Sequence, residues 1–142
     1  MINEIMIKKL IEAALHARQN SYSPYSNYQV GAALLTEDGD IYTGCNIENA
    51  AYSPTNCAER TAFLKAVSEG KRQFSAISIV GGVKGKEIAE YAYPCGVCRQ
   101  VMMEFCNPQT FQIIVAKSMN EYQVRTLEEL LPNGFGASNL QF

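Results

Sequence analysis

Two short cysteine stretches contain the residues whose types and spacing are best suited to chemistry. Cys57 stands two positions before Glu59, and Cys95 and Cys98 form a CxxC pair much later in the chain. Three thiolates hold zinc and leave a fourth position for water, which is the arrangement of a catalytic zinc site. A carboxylate beside such a site is suited to move protons. The pattern therefore predicts a hydrolytic, metal-assisted reaction.

Both stretches are predicted to stand at the starts of helices. On a helix flank, Cys57 and Glu59 at i and i+2 face apart. They reach the same site only from the open first turn, where side chains tilt past the N-terminal end of the axis. Cys95 and Cys98 at i and i+3 share one face, and Pro94 before them suits a helix start. The site is therefore expected between two helix N-termini.

The predicted site needs positive charge around it, because three thiolates on Zn²⁺ leave a net charge of −1. Each helix N-terminus contributes roughly half a positive charge and lowers the pKa of a thiol placed there. Arg60 and Arg99 follow the ligand positions and are predicted to hydrogen-bond the sulfurs. Glu59 is predicted to be the proton shuttle, since a fourth protein ligand would close the open position.

The cysteines have two other interpretations, a structural zinc site and a redox CxxC. Structural sites normally have four protein ligands, but Cys45 and Cys106 have no ligand-like spacing and are interpreted as buried small hydrophobes. A redox pair explains neither Cys57 nor Glu59. Catalysis is the favoured interpretation.

Length and composition exclude several classes of protein. The 142 residues fit one domain, residues 1–142, that is large enough to be stable without disulfides or a structural metal. The net charge is −2 and no run of Lys or Arg is present, which argues against a polynucleotide partner. The first residues resemble neither a signal peptide nor a membrane span. Together with an odd count of five cysteines, this predicts a cytoplasmic protein without membrane or nucleic-acid partners.

Hydrophobic periodicity predicts strands that alternate with helices. Helices are expected over Asn3 to Gln19, Cys57 to Glu69 and Gly96 to Phe105, with a short one capped by Thr126 and Glu129. Strands are expected over Tyr28 to Thr36, Ile41 to Cys45, Phe74 to Gly82, Phe111 to Ala116 and Tyr122 to Arg125. This order predicts an α/β fold, a three-layer α/β/α sandwich with a mixed sheet of about five strands and an antiparallel first pair.

The polar segment after the second predicted strand has two interpretations. Asn46, Glu48 and Asn49 follow the strand end, where polar groups of α/β proteins often meet ligands. Asparagines in such places also serve as turn residues that satisfy their own backbone. From the residues alone, the two interpretations have about equal weight.

Several ordered motifs together resemble the small, homotetrameric cytidine deaminases of pyrimidine salvage. The resemblance covers most of the chain. It is carried by Tyr25-Ser26 with Val30-Gly31-Ala32-Ala33-Leu34, Gly44-Cys45-Asn46-Ile47-Glu48-Asn49-Ala50, Thr55-Asn56-Cys57-Ala58-Glu59-Arg60, Pro94-Cys95-Gly96-Val97-Cys98-Arg99-Gln100, and Glu129-Leu130-Leu131-Pro132 followed by Phe135.

The resemblance implies roles for the residues of the cysteine stretches. Cys57, Cys95 and Cys98 would bind one Zn²⁺ per chain. Zinc-bound hydroxide would attack C4 of cytosine, while Glu59 would pass a proton to N3 and then to the departing ammonia. The products would be uridine from cytidine and deoxyuridine from deoxycytidine.

The resemblance also implies a set of substrate-binding residues. Asn46 and Glu48 match the pair that hydrogen-bonds the ribose hydroxyl, and Ala58 lies within the matching cysteine motif. Tyr28 stands where the family usually has a phenylalanine near the base, so the ring is kept and a hydroxyl is added. Phe135 matches an aromatic residue supplied by a neighbouring subunit.

A homotetramer with shared active sites is therefore expected, in which Phe135 and the Ala50 to Tyr52 loop reach across subunits.

Three functions are compatible with the sequence: a deaminase of free nucleosides, a zinc deaminase that acts on a polynucleotide or on a nucleoside-like antibiotic, and a non-catalytic zinc module. The acidic balance and the Asn46/Glu48 pair favour the first.

Overall fold

The computed structural model describes residues 1–140 and contains all the predicted elements, with ends within two residues of those expected. The helices are α1 Glu4–Arg18, α2 Ala58–Ser68, α3 Gly96–Phe105 and α4 Leu127–Leu130, and a 3₁₀ turn spans Ala137–Leu140. The strands are β1 Tyr28–Thr36, β2 Ile41–Cys45, β3 Phe74–Val83, β4 Gln112–Ser118 and β5 Glu121–Thr126. None of the helices within residues 1–140 has the length and apolar character that a membrane crossing needs.

Local side-chain signals set the ends of several elements. The Asn3 side chain accepts a hydrogen bond from the backbone of Met6 at 2.9 Å and caps α1. Gly70 adopts φ +95° just beyond α2, a left-handed conformation that suits glycine. Thr126 and Glu129 form the predicted capping box at the start of α4.

The five strands form one mixed sheet in the order β2-β1-β3-β4-β5. β1 pairs antiparallel with both β2 and β3, whereas β3 and β4 are parallel and are connected through α3. β5 pairs antiparallel with β4 at the far edge. The predicted mixed α/β sheet with an antiparallel first pair is therefore confirmed.

Helices cover both faces of the sheet and produce three layers. Alternate residues of β1 point to opposite faces, as strand geometry requires. Ala33 and Leu35 belong to a core cluster with α1, while Ala32 and Leu34 belong to the cluster that contains α2, α3 and α4. The prediction of a first strand covered on both faces is confirmed.

The strand directions bring five chain segments to one end of the sheet. β1 starts at this end with Tyr28, and its antiparallel neighbours β2 and β3 finish there with Cys45 and Val83. α2 leads into the opposite end of β3, and α3 begins after β3 has ended, so both helices start at this same end. Polar groups meet ligands at such strand ends in α/β folds.

Gly44 allows the first turn of α2 to lie directly on β2. A Cβ atom at this position would lie 2.5 Å from the carbonyl oxygen of Ala58 and 2.6 Å from the backbone nitrogen of Ala62. Both atoms belong to the helix backbone, which cannot move without displacing the whole helix start. The absence of a side chain at position 44 thus sets the height at which α2 stands over the sheet.

Ser78 in the middle of β3 is expected to reduce stability. Its hydroxyl is fully buried on the α1 side of the sheet and finds no hydrogen-bond partner among residues 1–140. A buried polar group without a partner costs about 1–3 kcal/mol. We expect Ser78→Ala to raise the free energy of unfolding by about 1 kcal/mol, measured by urea denaturation. The matched control Ser75→Ala, on the same strand but only half buried, should change it by less than about 0.5 kcal/mol. A destabilised Ser78→Ala would contradict this.

Candidate active site

The start of α2 presents Cys57 and Glu59 as the sequence predicted. Cys57 is the N-cap residue with extended backbone (φ −72°, ψ 156°), and Glu59 lies in the first turn. The segment before the helix is fixed by an antiparallel bridge in which Ile47 and Asn56 exchange backbone hydrogen bonds of 2.9 Å. Glu59 is only 5% exposed. A carboxylate is therefore buried directly beside a thiol.

The start of α3 presents the other two cysteines. Cys95 is the N-cap residue, and its Sγ accepts a hydrogen bond from the Cys98 backbone at 3.4 Å. Pro94 precedes the cap and does not take the first helical position. Cys95 is exposed, whereas Cys98 is 1% exposed and packs into the core. Both predicted helix starts therefore carry their cysteines at the open end.

The three sulfur atoms have the spacing that zinc requires. All lie within 4.8 Å of one another, and the Sγ atoms of Cys57 and Cys95 are 3.9 Å apart. A Zn–S distance of about 2.3 Å in a tetrahedral site places two sulfurs roughly 3.8 Å apart. Among residues 1–140, Cys57, Cys95 and Cys98 form the one group of this kind, and no fourth His, Cys, Asp or Glu joins it. The donor set thus fits zinc with an open fourth position.

The two remaining cysteines lie apart from this cluster. Cys106 is buried in the core on the α2 and α3 side, and burial raises the pKa of its thiol. Cys45 is half buried, and burial raises its thiol pKa as well. The prediction of a buried small hydrophobe is confirmed for Cys106, while Cys45 is only partly covered.

Arg60 supplies the positive charge that the thiol cluster needs. Its guanidinium Nη2 donates to Cys57 Sγ at 3.3 Å, and this bond raises the arginine pKa. The pKa of Cys57 is lowered, first by a hydrogen bond from the Cys98 thiol and then by Arg60, while the pKa of Cys98 is raised. Deprotonation of Cys57 is therefore favoured before any metal is considered.

Arg99 does not contact a sulfur, which corrects half of the expectation for the two arginines. Its Nε donates to the carbonyl oxygen of Pro94 at 2.7 Å, and its Nη1 donates to the carbonyl of Leu130 at the end of α4. Both partners are backbone carbonyls, and among residues 1–140 Arg99 donates no hydrogen bond to a sulfur. Arg99 thus ties the residue before Cys95 to the C-terminal part of the chain.

Burial shifts the ionisation of Glu59 toward neutral pH. Loss of hydration disfavours the charged carboxylate and raises the pKa of Glu59 to about 7. A backbone hydrogen bond opposes this effect without cancelling it. A carboxyl group with a pKa near 7 can both accept and release a proton at neutral pH.

A cavity of about 390 Å³ opens beside Cys57, Cys95 and Glu59. Small-molecule sites typically enclose about 300–1,000 Å³. Tyr28 and Ala58, both predicted to bind substrate, lie on its wall. The remaining wall residues come from β1 and β3, from the segment between β2 and Cys57, and from the segment before Cys95. They are Val30, Asn46, Thr55, Asn56, Ile79, Tyr91, Ala92 and Tyr93.

Asn46 joins the strand end to the start of β1. Its Oδ1 accepts from the backbone of Val30 at 2.9 Å and from the Ser21 hydroxyl, and its Nδ2 donates to the carbonyl of Tyr28 at 2.8 Å. An asparagine amide has two donor hydrogens, so one N–H is left for a ligand. Asn46 borders the cavity while it also holds the wall in place. Asn49, by contrast, is a turn residue whose Oδ1 accepts from Ala51 at 2.9 Å.

Glu48 lies in a second cavity of about 370 Å³ that adjoins the first at Thr55. The Ser26 hydroxyl and the backbone N–H groups of Tyr25 and Ser26 donate to its carboxylate. The hydroxyl bond leads these effects and lowers the pKa of Glu48. Glu48 therefore lies in a different cavity from Cys57 and Cys95.

Phe135 does not reach the cavity of its own chain. Its side chain is 57% exposed, and its carbonyl accepts a hydrogen bond from Gln100 Nε2 at 2.8 Å. The phenyl ring is thus presented outward from a backbone that α3 holds in place.

Sequence analysis missed the wall formed by Tyr91, Ala92 and Tyr93. Tyr93 donates through its hydroxyl to Gln123 on β5, and Lys117 on β4 stands 4.7 Å from the centre of the Tyr91 ring. The signal available in the sequence was the position of these residues directly before Pro94 and Cys95. A loop of this kind has no periodicity from which its orientation could be predicted.

Comparison with known proteins decides the family. Residues 5–114 match the family model described as the cytidine and deoxycytidylate deaminase zinc-binding region. The chain belongs to this family. A cytidine deaminase of Sporosarcina psychrophila is 48% identical over 136 residues, or 96% of each chain. One from Halalkalibacterium halodurans is 47% identical over 131 residues, covering 92% of this chain and 95% of that one.

A solved structure gives the same result in three dimensions. The crystal structure of cytidine deaminase from Burkholderia pseudomallei superposes with a TM-score of 0.80 and 46% identity, covering 89% of this chain and 97% of that chain. The predicted resemblance to the deaminase family and the predicted fold class are confirmed. The prediction of an enzyme with a zinc cofactor is confirmed as well, since the matched region is a zinc-binding one and includes all three clustered cysteines.

Proposed function

We propose that this chain hydrolyses cytidine and 2′-deoxycytidine to uridine and 2′-deoxyuridine, with release of ammonia. One observation carries the proposal: Glu59, 5% exposed, lies beside three thiols on the wall of a cavity large enough for a small molecule. A metal site with an open position and an adjacent proton carrier is what hydrolysis of a C–N bond requires. The family membership supports the same reaction.

Cys57, Cys95 and Cys98 are proposed to hold one zinc ion. Bound zinc supplies Lewis acidity, which makes water nucleophilic near neutral pH. Arg60 offsets the negative charge of the thiolates through its bond to Cys57. The two helix starts add their partial positive charge at the same place.

Glu59 is proposed to move the protons of the reaction. Its carboxylate accepts a proton from the attacking water and delivers it to N3 of the base. It then takes up the proton of the new C4 hydroxyl and transfers it to the amino group, which departs as ammonia. A pKa of about 7 suits this double role, because each transfer requires a group that gains and loses protons with similar ease. The buried position excludes bulk water from the transfer.

A non-catalytic zinc module is the alternative that the geometry supports less. Structural zinc sites are closed by four protein ligands, and within the described part of the chain the cluster has three. The cavity beside the cluster serves no purpose in a purely structural site. Catalysis therefore accounts for more of the observations.

The proposed substrate is a nucleoside that carries no phosphate. Of the described residues that line the two adjoining cavities, none is Lys, Arg or His, and Glu48 and Glu59 are the acidic ones. Phosphate binding normally uses arginine, lysine or a helix N-terminus, and the helix N-termini of this site stand at Cys57 and Cys95, not in the cavity of Glu48. A negative group at the sugar end would meet Glu48 and be repelled.

Within this proposal, the base lies near Glu59 and the sugar extends toward Glu48. Tyr28 and Ala58 contact the base, and Asn46 offers its remaining N–H to a ribose hydroxyl. The Glu48 carboxylate accepts from a hydroxyl of the same sugar. Thr55 borders both cavities and so connects the two ends of the site.

Glu48→Gln should weaken binding of the sugar with little effect on the chemical step. We expect the KM for cytidine to rise by about ten-fold while kcat stays within about three-fold, because the carboxylate contacts no reacting atom. Steady-state kinetics provide the measurement. The control is Glu12→Gln on the exposed surface of α1, which should change neither constant. A fall in kcat at unchanged KM would assign Glu48 a different role.

Assembly is proposed to complete the site. Phe135 is 57% exposed and Tyr52, in the Ala50 to Tyr52 loop, is 73% exposed, which supports the proposal that both contact a neighbouring copy. We propose a homotetramer of single-domain chains, residues 1–142, with shared active sites.

The proposed location is the cytoplasm. Free thiols are maintained in a reducing compartment, which supports this location.

Light scattering tests the assembly. We expect a molar mass four times that of the 15.7 kDa chain. We also expect Phe135→Ala to lower activity without changing the zinc content. A stable monomer with full activity would refute the shared site.

The substrate class is tested with a panel of cytosine compounds in an ultraviolet assay. Cytidine and deoxycytidine should be turned over, whereas free cytosine, deoxycytidylate and a cytosine-containing oligonucleotide should react at least about a hundred-fold more slowly in kcat/KM. Turnover of the oligonucleotide without turnover of the nucleosides would overturn the proposal.

A further inference from the structure

Gly81 on β3 stands directly behind three walls of the 390 Å³ cavity. A Cβ atom at this position would lie 3.0 Å from Ala92 Cβ, 3.1 Å from Tyr28 Cε1 and 3.2 Å from Val30 Cγ2. Carbon atoms in favourable contact are about 3.5–4.0 Å apart. All three neighbours border the cavity, and Gly81 itself does not. The absence of a side chain at position 81 therefore determines how closely these three residues approach the backbone of β3.

The same face of β3 continues into the cavity through Ile79. Because side chains alternate along a strand, Gly81 points to the same side as Ile79, which lines the cavity. Gly81 also pairs with Val30 across the sheet, so the two backbones are fixed relative to each other. A methyl group at position 81 would therefore crowd Ala92, the Tyr28 ring and Val30, and these neighbours would have to shift by a few tenths of an ångström.

Tyr28 lines this cavity and also a smaller one of about 180 Å³, which Gly81 and Gly82 line as well. Its ring atom Cε1 would lie 3.1 Å from a Cβ atom at position 81, so the position of the ring depends on the space over Gly81. A shift of the ring by a few tenths of an ångström changes the width of the larger cavity.

We propose that Gly81 is a positioning residue that sets the width of the base-binding cavity through Tyr28, Val30 and Ala92. The proposal rests on the proposed function, which places the base beside Glu59 and the thiols in this cavity. Because the reacting carbon belongs to the base, the base and not the sugar meets these three walls. Gly81 therefore controls the size of base that the enzyme accepts.

The test is Gly81→Ala, assayed with cytidine and with the larger base of 5-methylcytidine. We expect the KM for cytidine to rise about three- to ten-fold while kcat stays within about two-fold, since Glu59 and the metal ligands are not displaced. The KM for 5-methylcytidine should rise by a larger factor. Zinc content should be unchanged, which a general loss of structure would not allow.

Gly82→Ala is the matched control on the next residue of the strand. Its Cβ would face the other side of the sheet and lie 3.3 Å from Arg18 Nη2, the end of a long side chain, and 3.4 Å from Ile88 Cα and Cγ1, a distance of ordinary van der Waals contact. We expect both KM values to stay within about two-fold of the unmodified protein. The comparison separates an effect of the cavity wall from an effect of adding a methyl group to β3.

A second substitution on the opposite wall tests the contact itself. Ala92→Gly, added to Gly81→Ala, removes the atom that the new methyl would meet at 3.0 Å and should restore at least half of the lost affinity. If Gly81→Ala proves too unstable to purify, the comparison is made in a Val30→Ala background, which frees volume in the same gap. There, adding Gly81→Ala should raise the KM for cytidine at least about three-fold over Val30→Ala alone.

An unchanged KM in folded Gly81→Ala, or an equal rise in Gly82→Ala, would overturn the inference while the proposed function stands. Lack of cytidine turnover by the unmodified protein and by Gly82→Ala would overturn the proposed function, and the inference with it. The two failures are thus distinguishable from one set of assays.

Discussion

Replacing Glu59 with alanine should lower kcat for cytidine by at least about a thousand-fold while the chain keeps its zinc. The carboxylate is buried beside the thiols and has a pKa of about 7, so it is placed and tuned to carry protons. It is not one of the clustered metal ligands. Activity is measured by ultraviolet absorbance and zinc by atomic emission.

Glu59→Gln sharpens this result, because glutamine keeps the volume of the side chain and removes its ability to take up a proton. We expect a loss similar to that of Glu59→Ala. The matched control is Glu69→Gln at the other end of the same helix, which is exposed and should leave kcat unchanged. Loss of zinc together with activity would show that Glu59 holds the metal, and a kcat within about ten-fold of the unmodified enzyme would exclude the proton-shuttle role.

Removing one thiol should abolish both metal binding and turnover. Cys95→Ala is the most informative change, because Cys95 is exposed and its loss leaves the core packing intact. With two ligands left, zinc should fall below about one tenth of an ion per chain, and the remaining activity should follow the remaining zinc. Zinc content and kcat are measured on the same preparation.

Cys45→Ala is the control for the loss of a cysteine. Cys45 is half buried and lies outside the thiol cluster, so zinc and kcat should stay within about two-fold of the unmodified values. Full activity of Cys95→Ala without zinc would contradict the metal site. Full zinc content with no activity would mean that Cys95 acts in some way other than as a ligand.

The elements of the fold were predictable because local signals and burial patterns agree in this chain. β1 was predicted over Tyr28 to Thr36 and has these bounds, since its apolar run is buried on both faces. α2 begins directly after Cys57, because a helix start is where Cys57 and Glu59 can point together. Secondary structure, hydrophobic pattern and chemistry lead to the same assignment here.

The contacts between distant segments were less accessible from the sequence. Asn46 joins Val30, Tyr28 and Ser21, and these partners meet only after β1 and β2 have paired. The partners of Arg99 are backbone carbonyls, and a carbonyl cannot be anticipated from residue types. Arg60 and Arg99 carry the same charge at similar positions in the sequence motifs, and only the path of the folded backbone decides which of them reaches a sulfur.

The wall of the cavity shows most clearly that contacts between distant segments cannot be predicted from the sequence. Tyr91, Ala92 and Tyr93 are held by the β4–β5 hairpin, which follows them in the chain. Gly81 is conspicuous only once the positions of Tyr28, Val30 and Ala92 around it are known. Chemistry at the cysteines was therefore predictable from spacing, whereas the shape of the site depends on tertiary packing.

The most direct test of the central claim is hydrolysis of cytidine by the purified protein loaded with one zinc per chain. Product analysis by chromatography should show uridine and an equal amount of ammonia, with a rate proportional to the concentration of enzyme. A folded protein that binds one zinc per chain and forms no uridine would contradict the claim and favour a non-catalytic zinc module.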